Sequence, residues 1–382
     1  MTRNLSKILA SVLLLGAGVC RGEPVDFSRD ILPILSDNCF HCHGPDEAKR
    51  KARLRLDTRE GALRTTDAII APGKSADSEL IKRIFATDPD DLMPPPDSNR
   101  KLSERQKQLL KQWIDGGAEW GRHWAFVKPS RPNLPTVKTR TRVRNAVDNF
   151  VLSRLEQEKF RPMREAEKRT LIRRVTLDLT GLPPTVEEVE TFLRDESSNA
   201  YERLVDRLLD SPRYGERMAW DWLDIARYAD TNGYQGDRTR TMWPWRDWVV
   251  AAFNRNMPYD RFTVEQLAGD MLPNPTREQR IATGFHRNHM INGEGGRIAE
   301  ENRVEYIFDQ VETTATTWLG LTMTCSRCHD HKYDPITLRD YYGLFAIFNN
   351  TPVNGGGGNG QTAPVVDFAS EAQKQELARL RK

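Results

Sequence analysis

Cys39-Phe40-His41-Cys42-His43 and its second copy, Cys325-Ser326-Arg327-Cys328-His329, decide how this chain reads, because four of its five cysteines fall in these two pentapeptides. Two thiols one short turn apart, with a histidine directly after the second, form the attachment signal for c-type haem. Each thiol makes a thioether to a vinyl group, and the histidine becomes the proximal iron ligand. A disulfide would account for paired cysteines in an oxidising compartment, but it needs no histidine after them. Cys39, Cys42 and His43 are therefore expected to hold one haem c. Cys325, Cys328 and His329 are candidates for a second.

The flanks of the first motif carry helix signals. Ile31, Leu32 and Leu35 share one face of a helix expected over residues 27–38, with Ser28 as its cap. Ser103 with Gln106 forms a capping box ahead of the apolar stripe Leu109, Leu110, Trp113 and Ile114, and Gly116-Gly117 ends it. Two amphipathic helices flanking a haem are the expected architecture of a class I cytochrome c. Met93 is the one methionine between Met1 and Met163, and it precedes Pro94-Pro95-Pro96. Prolines stiffen the backbone that carries a weakly binding thioether, so Met93 is the candidate sixth ligand. His41 lies between the thiols and is kept off the iron by its position.

The N-terminus reads as an export signal over residues 1–22: Arg3 and Lys7, then the apolar run 8–19, then small residues before Glu23. Cys20 fits a lipoprotein signal poorly, because Val19 precedes it. No later stretch is apolar enough for a transmembrane span. The expected location is the periplasm or cell envelope. A formal charge of +3 over 382 residues gives no reason to expect nucleic acid as a partner.

The expected organisation is a haem domain over 23–122, a Pro-rich linker over 123–142, and a larger, mainly helical domain over 143–351. A Gly-rich loop and a charged helical start follow over 352–382, as expected of a chain truncated before a further domain. His123 opens the linker, and its cluster Lys138, Arg140, Arg142 and Arg144 reads as solvated. Helices are expected over 145–158, 165–178, from the Thr185/Glu188 box to Arg194, and over 200–210, and no run of alternating strands is evident. Tryptophans crowd the stretch 214–262; they read first as core and second as a stacking surface for polysaccharide at a cell surface.

The second motif has extra potential ligands close by. His331 and Asp334 follow it, so zinc or a mononuclear iron held by Cys325, Cys328, His329 and His331 stands as the alternative to haem, with Asp330 or Asp334 orienting a ligand histidine. As a haem site its distal candidates are His286, His289 and Met290, unless that position is open, which would suit a redox enzyme.

Residues 27 to about 126 resemble the planctomycete-type cytochrome c domain. The resemblance rests on Phe27-Ser28-Arg29-Asp30-Ile31-Leu32-Pro33, the Cys-x-x-Cys-His, Leu54-Arg55-Leu56-Asp57, Pro72-Gly73, Met93-Pro-Pro-Pro and Trp113-Ile114-Asp115-Gly116-Gly117-Ala118-Glu119-Trp120. The region from there to about residue 350 resembles the uncharacterised second cytochrome-like planctomycete domain, through residues 174–184, 220–228 and Cys325-Ser326-Arg327-Cys328-His329-Asp330-His331-Lys332. The first resemblance implies haem c on Cys39, Cys42 and His43, with Met93 the natural axial candidate; the second implies no established reaction. The chain is thus expected to be an exported, mainly α electron-transfer protein with one or two haems and an unidentified redox partner protein. A metal-dependent enzyme domain fused to a monohaem cytochrome is the alternative.

Overall fold

The structure is a computed structural model that describes residues 25–63, 69–122, 124–356 and 363–381. The export signal with Cys20, His123, and residues 357–360 of the Gly-rich loop lie outside the described residues. The chain divides into two compact units, Met1–Val127 with Lys332–Pro335, and Lys128–His331 with Ile336–Lys382. Both are built from helices. Among the described residues the one β feature is an isolated bridge between Thr231 and Thr239. The fold class is mainly α.

In the first unit, a π-helical turn Phe27–Ile31 runs into α1 (Leu32–Asn38), followed by α2 (Phe40–His43), α3 (Arg59–Ala62), α4 (Glu79–Ile84) and α5 (Glu104–Asp115). The entry cap differs from expectation. Asp26, not Ser28, closes the first turn, its carboxylate accepting from the Arg29 N–H at 2.8 Å. Ser28 already sits inside the turn, and its hydroxyl donates instead to the Arg122 carbonyl at 2.6 Å. The Ser103 box forms as read: Gln106 N–H donates to Ser103 Oγ at 3.3 Å, and Ser103 N–H donates to Gln106 Oε1 at 2.8 Å. One apolar core joins α1, α2, α4 and α5 through Ile31, Leu35, Phe40, Ile84, Leu110 and Ile114. Phe27, Trp113 and Trp120 cluster against it, with the rings of Phe27 and Trp120 4.2 Å apart.

The second unit begins with α6 (Ala146–Gln157), α7 (Lys168–Thr180), α8 (Val186–Arg194) and α9 (Ala200–Leu209). These are the four helices expected from periodicity and caps, and the Thr185/Glu188 box is present. The segment ahead of α6 is tied to it, because Glu156 accepts from the Lys138 and Thr139 N–H groups. Arg142 donates to the Met163 carbonyl, and Arg144 pairs with Glu165. Then follow α10 (Pro212–Ile225), α11 (Trp243–Asn254), α12 (Tyr259–Ala268), α13 (Arg277–Ala282), α14 (Ala299–Thr314), α15 (Leu338–Phe348) and α16 (Glu371–Leu380).

The aromatic stretch is chiefly core. Trp245 and Trp248 are buried, and Trp222 packs edge-on against Phe262 and Trp318 while its indole N–H donates to Gln266. Trp220 and Trp243 alone of the five are exposed. No helix among the described residues is long and apolar enough to cross a membrane.

Candidate haem-attachment sites

Short-range hydrogen bonds fold the first motif into a single turn. The Cys39 N–H donates to the Leu35 carbonyl at 2.7 Å, so α1 delivers the chain directly into the motif. The Cys42 and His43 N–H groups then both donate to the Cys39 carbonyl, at 3.1 and 2.8 Å. This closure brings both cysteines and the histidine onto one turn, as two neighbouring thioethers and a proximal ligand require. Neither cysteine is in a disulfide. His41, between them, is exposed.

The following loop folds back over the turn. Lys51 N–H donates to the Cys42 carbonyl and Leu56 N–H to the His43 carbonyl, each at 2.8 Å. Arg50 holds the bend by donating to the carbonyls of Gly44 and Pro45. The Leu54-Arg55-Leu56-Asp57 run acquires a physical reading: both leucines enter the core, while Arg55 and Asp57 pair on the other face at 2.5 Å. Pro72-Gly73 docks on the end of α5, where the Gly73 N–H donates to the Ile114 carbonyl at 2.7 Å. Gly73 has φ +77°, a conformation that favours glycine.

Burial dominates the electrostatics of the motif. Burial pushes the Cys39 thiol up to about 12, with Cys42 beside it adding to the effect. Burial lowers the pKa of His43, a hydrogen bond with the Lys51 backbone opposing it, so the imidazole is held neutral as a metal ligand must be. Its Nδ1 is buried without a hydrogen-bond partner. Two thiols and an imidazole on one turn are the donor set that haem c requires. Met93 is half-buried in the loop after α4, anchored by its N–H to the Arg83 carbonyl at 3.1 Å. Arg83 is held in turn by Glu79 and Asp91.

Residues 39–97 match the family described as Planctomycete cytochrome C. Residues 146–353, more than half of the chain, match PSCyt2, described as a protein of unknown function (DUF1549). The chain belongs to the PSCyt2 family. No curated protein and no solved structure matches it. The order of the two regions is the order expected from the sequence.

Within the PSCyt2 region the second motif makes the same backbone turn in a different setting. Cys328 and His329 N–H groups both donate to the Cys325 carbonyl at 3.3 Å. Cys325, Cys328 and His329 are all exposed, while Ser326 between them is fully buried. His329 Nδ1 lies 2.8 Å from the Asp330 carbonyl. Donating there, it leaves Nε2 as the lone-pair nitrogen, the tautomer a ligand histidine needs. Asp330, expected with Asp334 to orient a histidine of a zinc or iron site, meets His329 through its backbone carbonyl and not its side chain. Its carboxylate instead accepts from the Leu338 N–H at the start of α15, at 2.8 Å. Arg327 pairs with Glu305 of α14 and lies over the Phe308 ring, 3.7 Å from its centre.

The remaining candidates are dispersed. His331 is half-buried, its N–H donating to the Ile336 carbonyl at 2.8 Å. His289 is buried and stacked on Tyr306 with ring centres 4.4 Å apart, whereas Met290 is exposed. His286 packs between Phe285 and Phe348. Among the described residues, no three His, Cys, Asp or Glu side chains are grouped as a single metal ion needs. One cluster of the PSCyt2 region gave no signal in the sequence. Arg240 is buried and donates to the carbonyls of Asn288 and His289, and Arg287 lies near it. Isolated arginines on separate segments follow no spacing rule that would have found them.

Proposed function

We propose that the first unit carries haem c on Cys39 and Cys42, with His43 as proximal and Met93 as sixth ligand, and that the chain is an exported electron-transfer protein. The observation that carries this reading is the one-turn closure of Cys39, Cys42 and His43 around the Cys39 carbonyl, in a region that matches a cytochrome c family. The bound group would supply reversible one-electron chemistry. The chain's own residues hold His43 neutral, exclude water with Phe40, Leu54 and Leu56, and stiffen the Met93 loop through Pro94 and Pro95. His/Met ligation raises the reduction potential, which suits a carrier that exchanges electrons with a partner protein. The export signal read over residues 1–22 puts this chemistry in the periplasm or cell envelope, where thioether-linked cytochromes are matured.

A second haem on Cys325, Cys328 and His329 is favoured by one observation, the Nδ1 contact of His329 with the Asp330 carbonyl in the same one-turn closure. Among the described residues no three His, Cys, Asp or Glu side chains are grouped, which lends no support to zinc or iron held by Cys325, Cys328, His329 and His331. Burial of most of the tryptophan stretch lends none to a polysaccharide-binding face.

The test is denaturing mass spectrometry with a reduced pyridine spectrum and metal analysis, on protein matured with haem-attachment machinery. Two covalent haems are expected, one lost in Cys39→Ser/Cys42→Ser and the other in Cys325→Ser/Cys328→Ser. Absence of any covalent haem refutes the whole reading. One haem together with stoichiometric zinc would refute only the second site.

A further inference from the structure

A pocket of about 430 Å³ opens in the second unit, in the size range of small-molecule sites. Neither motif contributes to its wall. Buried apolar side chains, among them Trp245, Ile281 and Phe348, make much of the lining. Met271 and Ile347 line it too and are exposed, so the apolar character continues out to the surface.

The charged groups of the wall are already answered by the chain. Arg240 donates to the Asn288 and His289 carbonyls, and Asp309, Asp237 and Asp230 act on its charge. Arg287 is engaged within the chain, and Arg280 and Asp270, one of each sign, are exposed. An ionised group entering the pocket would shed water without meeting an unanswered buried counter-charge, so the wall favours an uncharged occupant.

Two neutral polar groups of the wall do lack partners. Gln310 is 3 % exposed and its Nε2 donates to the His286 carbonyl at 3.1 Å, which fixes the amide and leaves Oε1 buried with nothing to accept from. Trp245 is 2 % exposed, and its indole nitrogen is buried with nothing to donate to. Buried polar atoms are nearly always satisfied, so one orphaned acceptor and one orphaned donor on the same pocket mark a missing occupant, either water or a ligand.

We propose that this pocket binds an uncharged organic molecule with an aromatic or alicyclic body, a carbonyl-type acceptor, and a hydroxyl or N–H donor. The apolar wall takes the body, Trp245 Nε1 donates to the acceptor, and Gln310 Oε1 accepts from the donor. This assignment does not rest on haem at either motif.

The experiment is calorimetric titration of the full chain with three probes: 4-aminobenzophenone, which is uncharged and carries both functions; benzophenone, which lacks the donor; and the anion 4-benzoylbenzoate. Saturable binding of 4-aminobenzophenone is expected, about 2- to 10-fold tighter than benzophenone, the range of one net hydrogen bond. The anion should bind about 10-fold more weakly than the amine, or not at all, because its carboxylate is desolvated without compensation. Gln310→Leu removes the acceptor at similar volume, and it should erase the preference for the amine while leaving benzophenone unchanged. Should loss of the bond to the His286 carbonyl unfold that variant, Trp245→Phe keeps a ring in the wall and removes the donor. It should weaken both ketones alike, by about 2- to 10-fold. The proposal is overturned by the absence of saturable heat from the folded chain (a pocket holding water only), by benzophenone or the anion binding as tightly as the amine, or by affinities that neither variant changes.

Discussion

Acid should unfold the second unit in a pH window set by two histidines. Burial drives His286 to about 4 and, with the charge of Arg287 adding to it, His289 to about 3, against an ordinary value of 6.5. Both are buried in neutral form, so the unfolded chain binds protons that the folded chain refuses. Stability is therefore complete above pH 6.5 and falls as pH drops toward the folded values. At pH 5 each histidine withdraws about 2 kcal/mol, or about 4 kcal/mol for the pair, and near pH 5.5 the slope is about 2.4 kcal/mol per pH unit. The pH 5 figure barely depends on whether the folded value is 3 or 4, because the native ring is unprotonated either way. Carboxylates held low by their partners lose their contribution only below this window, so pH 6.5 to 5 isolates the imidazoles. Urea unfolding at pH 8, 6, 5.5 and 5, followed through the buried tryptophans Trp245 and Trp248, reads the effect directly. His286→Gln should remove about half of the slope. A stability that stays flat from pH 8 to 5, or a slope unchanged in the His286→Gln/His289→Gln double variant, would refute the reasoning.

Two packing predictions accompany it. Leu110→Ala empties a fully buried position on α5 and should cost the first unit about 2–5 kcal/mol, measured as a lowered urea midpoint with unchanged m-value. Gly215→Ala puts a Cβ 2.5 Å from the Val250 carbonyl and must push α10 off α11; a loss of about 1–3 kcal/mol is expected, and an unchanged Tm would contradict the close approach.

Much of the architecture was legible because its signals are local. Ser103 with Gln106 and Thr185 with Glu188 mark helix starts through bonds that span three residues, and both boxes formed. The stripe Leu109 to Ile114 points inward as its spacing requires. Ser28 was misread because a cap depends on which residue first leaves helical dihedrals, and Asp26 two positions earlier has the stronger acceptor. The pocket of the second unit lined by Arg240, Trp245, Gln310 and Phe368 was illegible for a different reason. Arg240, Arg287, Gln310 and Phe368 come from separate elements, and no spacing rule joins residues that meet only through tertiary packing.

The two pentapeptides show how little a motif says about its surroundings. Each closes the same turn on its first cysteine's carbonyl, because two residues between the thiols and one histidine beyond them permit that hydrogen-bond pattern. What differs is everything the turn is packed against. Cys39 follows α1 to the edge of an apolar core, half-buried like Cys42, and burial holds its thiol protonated. Addition of that thiol to a vinyl group is therefore slowed once the chain has closed around it, which couples haem attachment at the first motif to folding. Cys325 and Cys328 are exposed on a turn anchored by the buried Ser326, with Arg327 held by Glu305 and Asp330 capping α15. Their thiols stay reachable in the folded unit. On this argument the second motif is the more readily modified after folding, so haem supplied to folded, haem-free protein with attachment machinery should load Cys325 and Cys328 well before Cys39. Loading of the first motif alone under those conditions would show that its core opens more readily than Ile31, Leu35 and Leu110, all fully buried, imply.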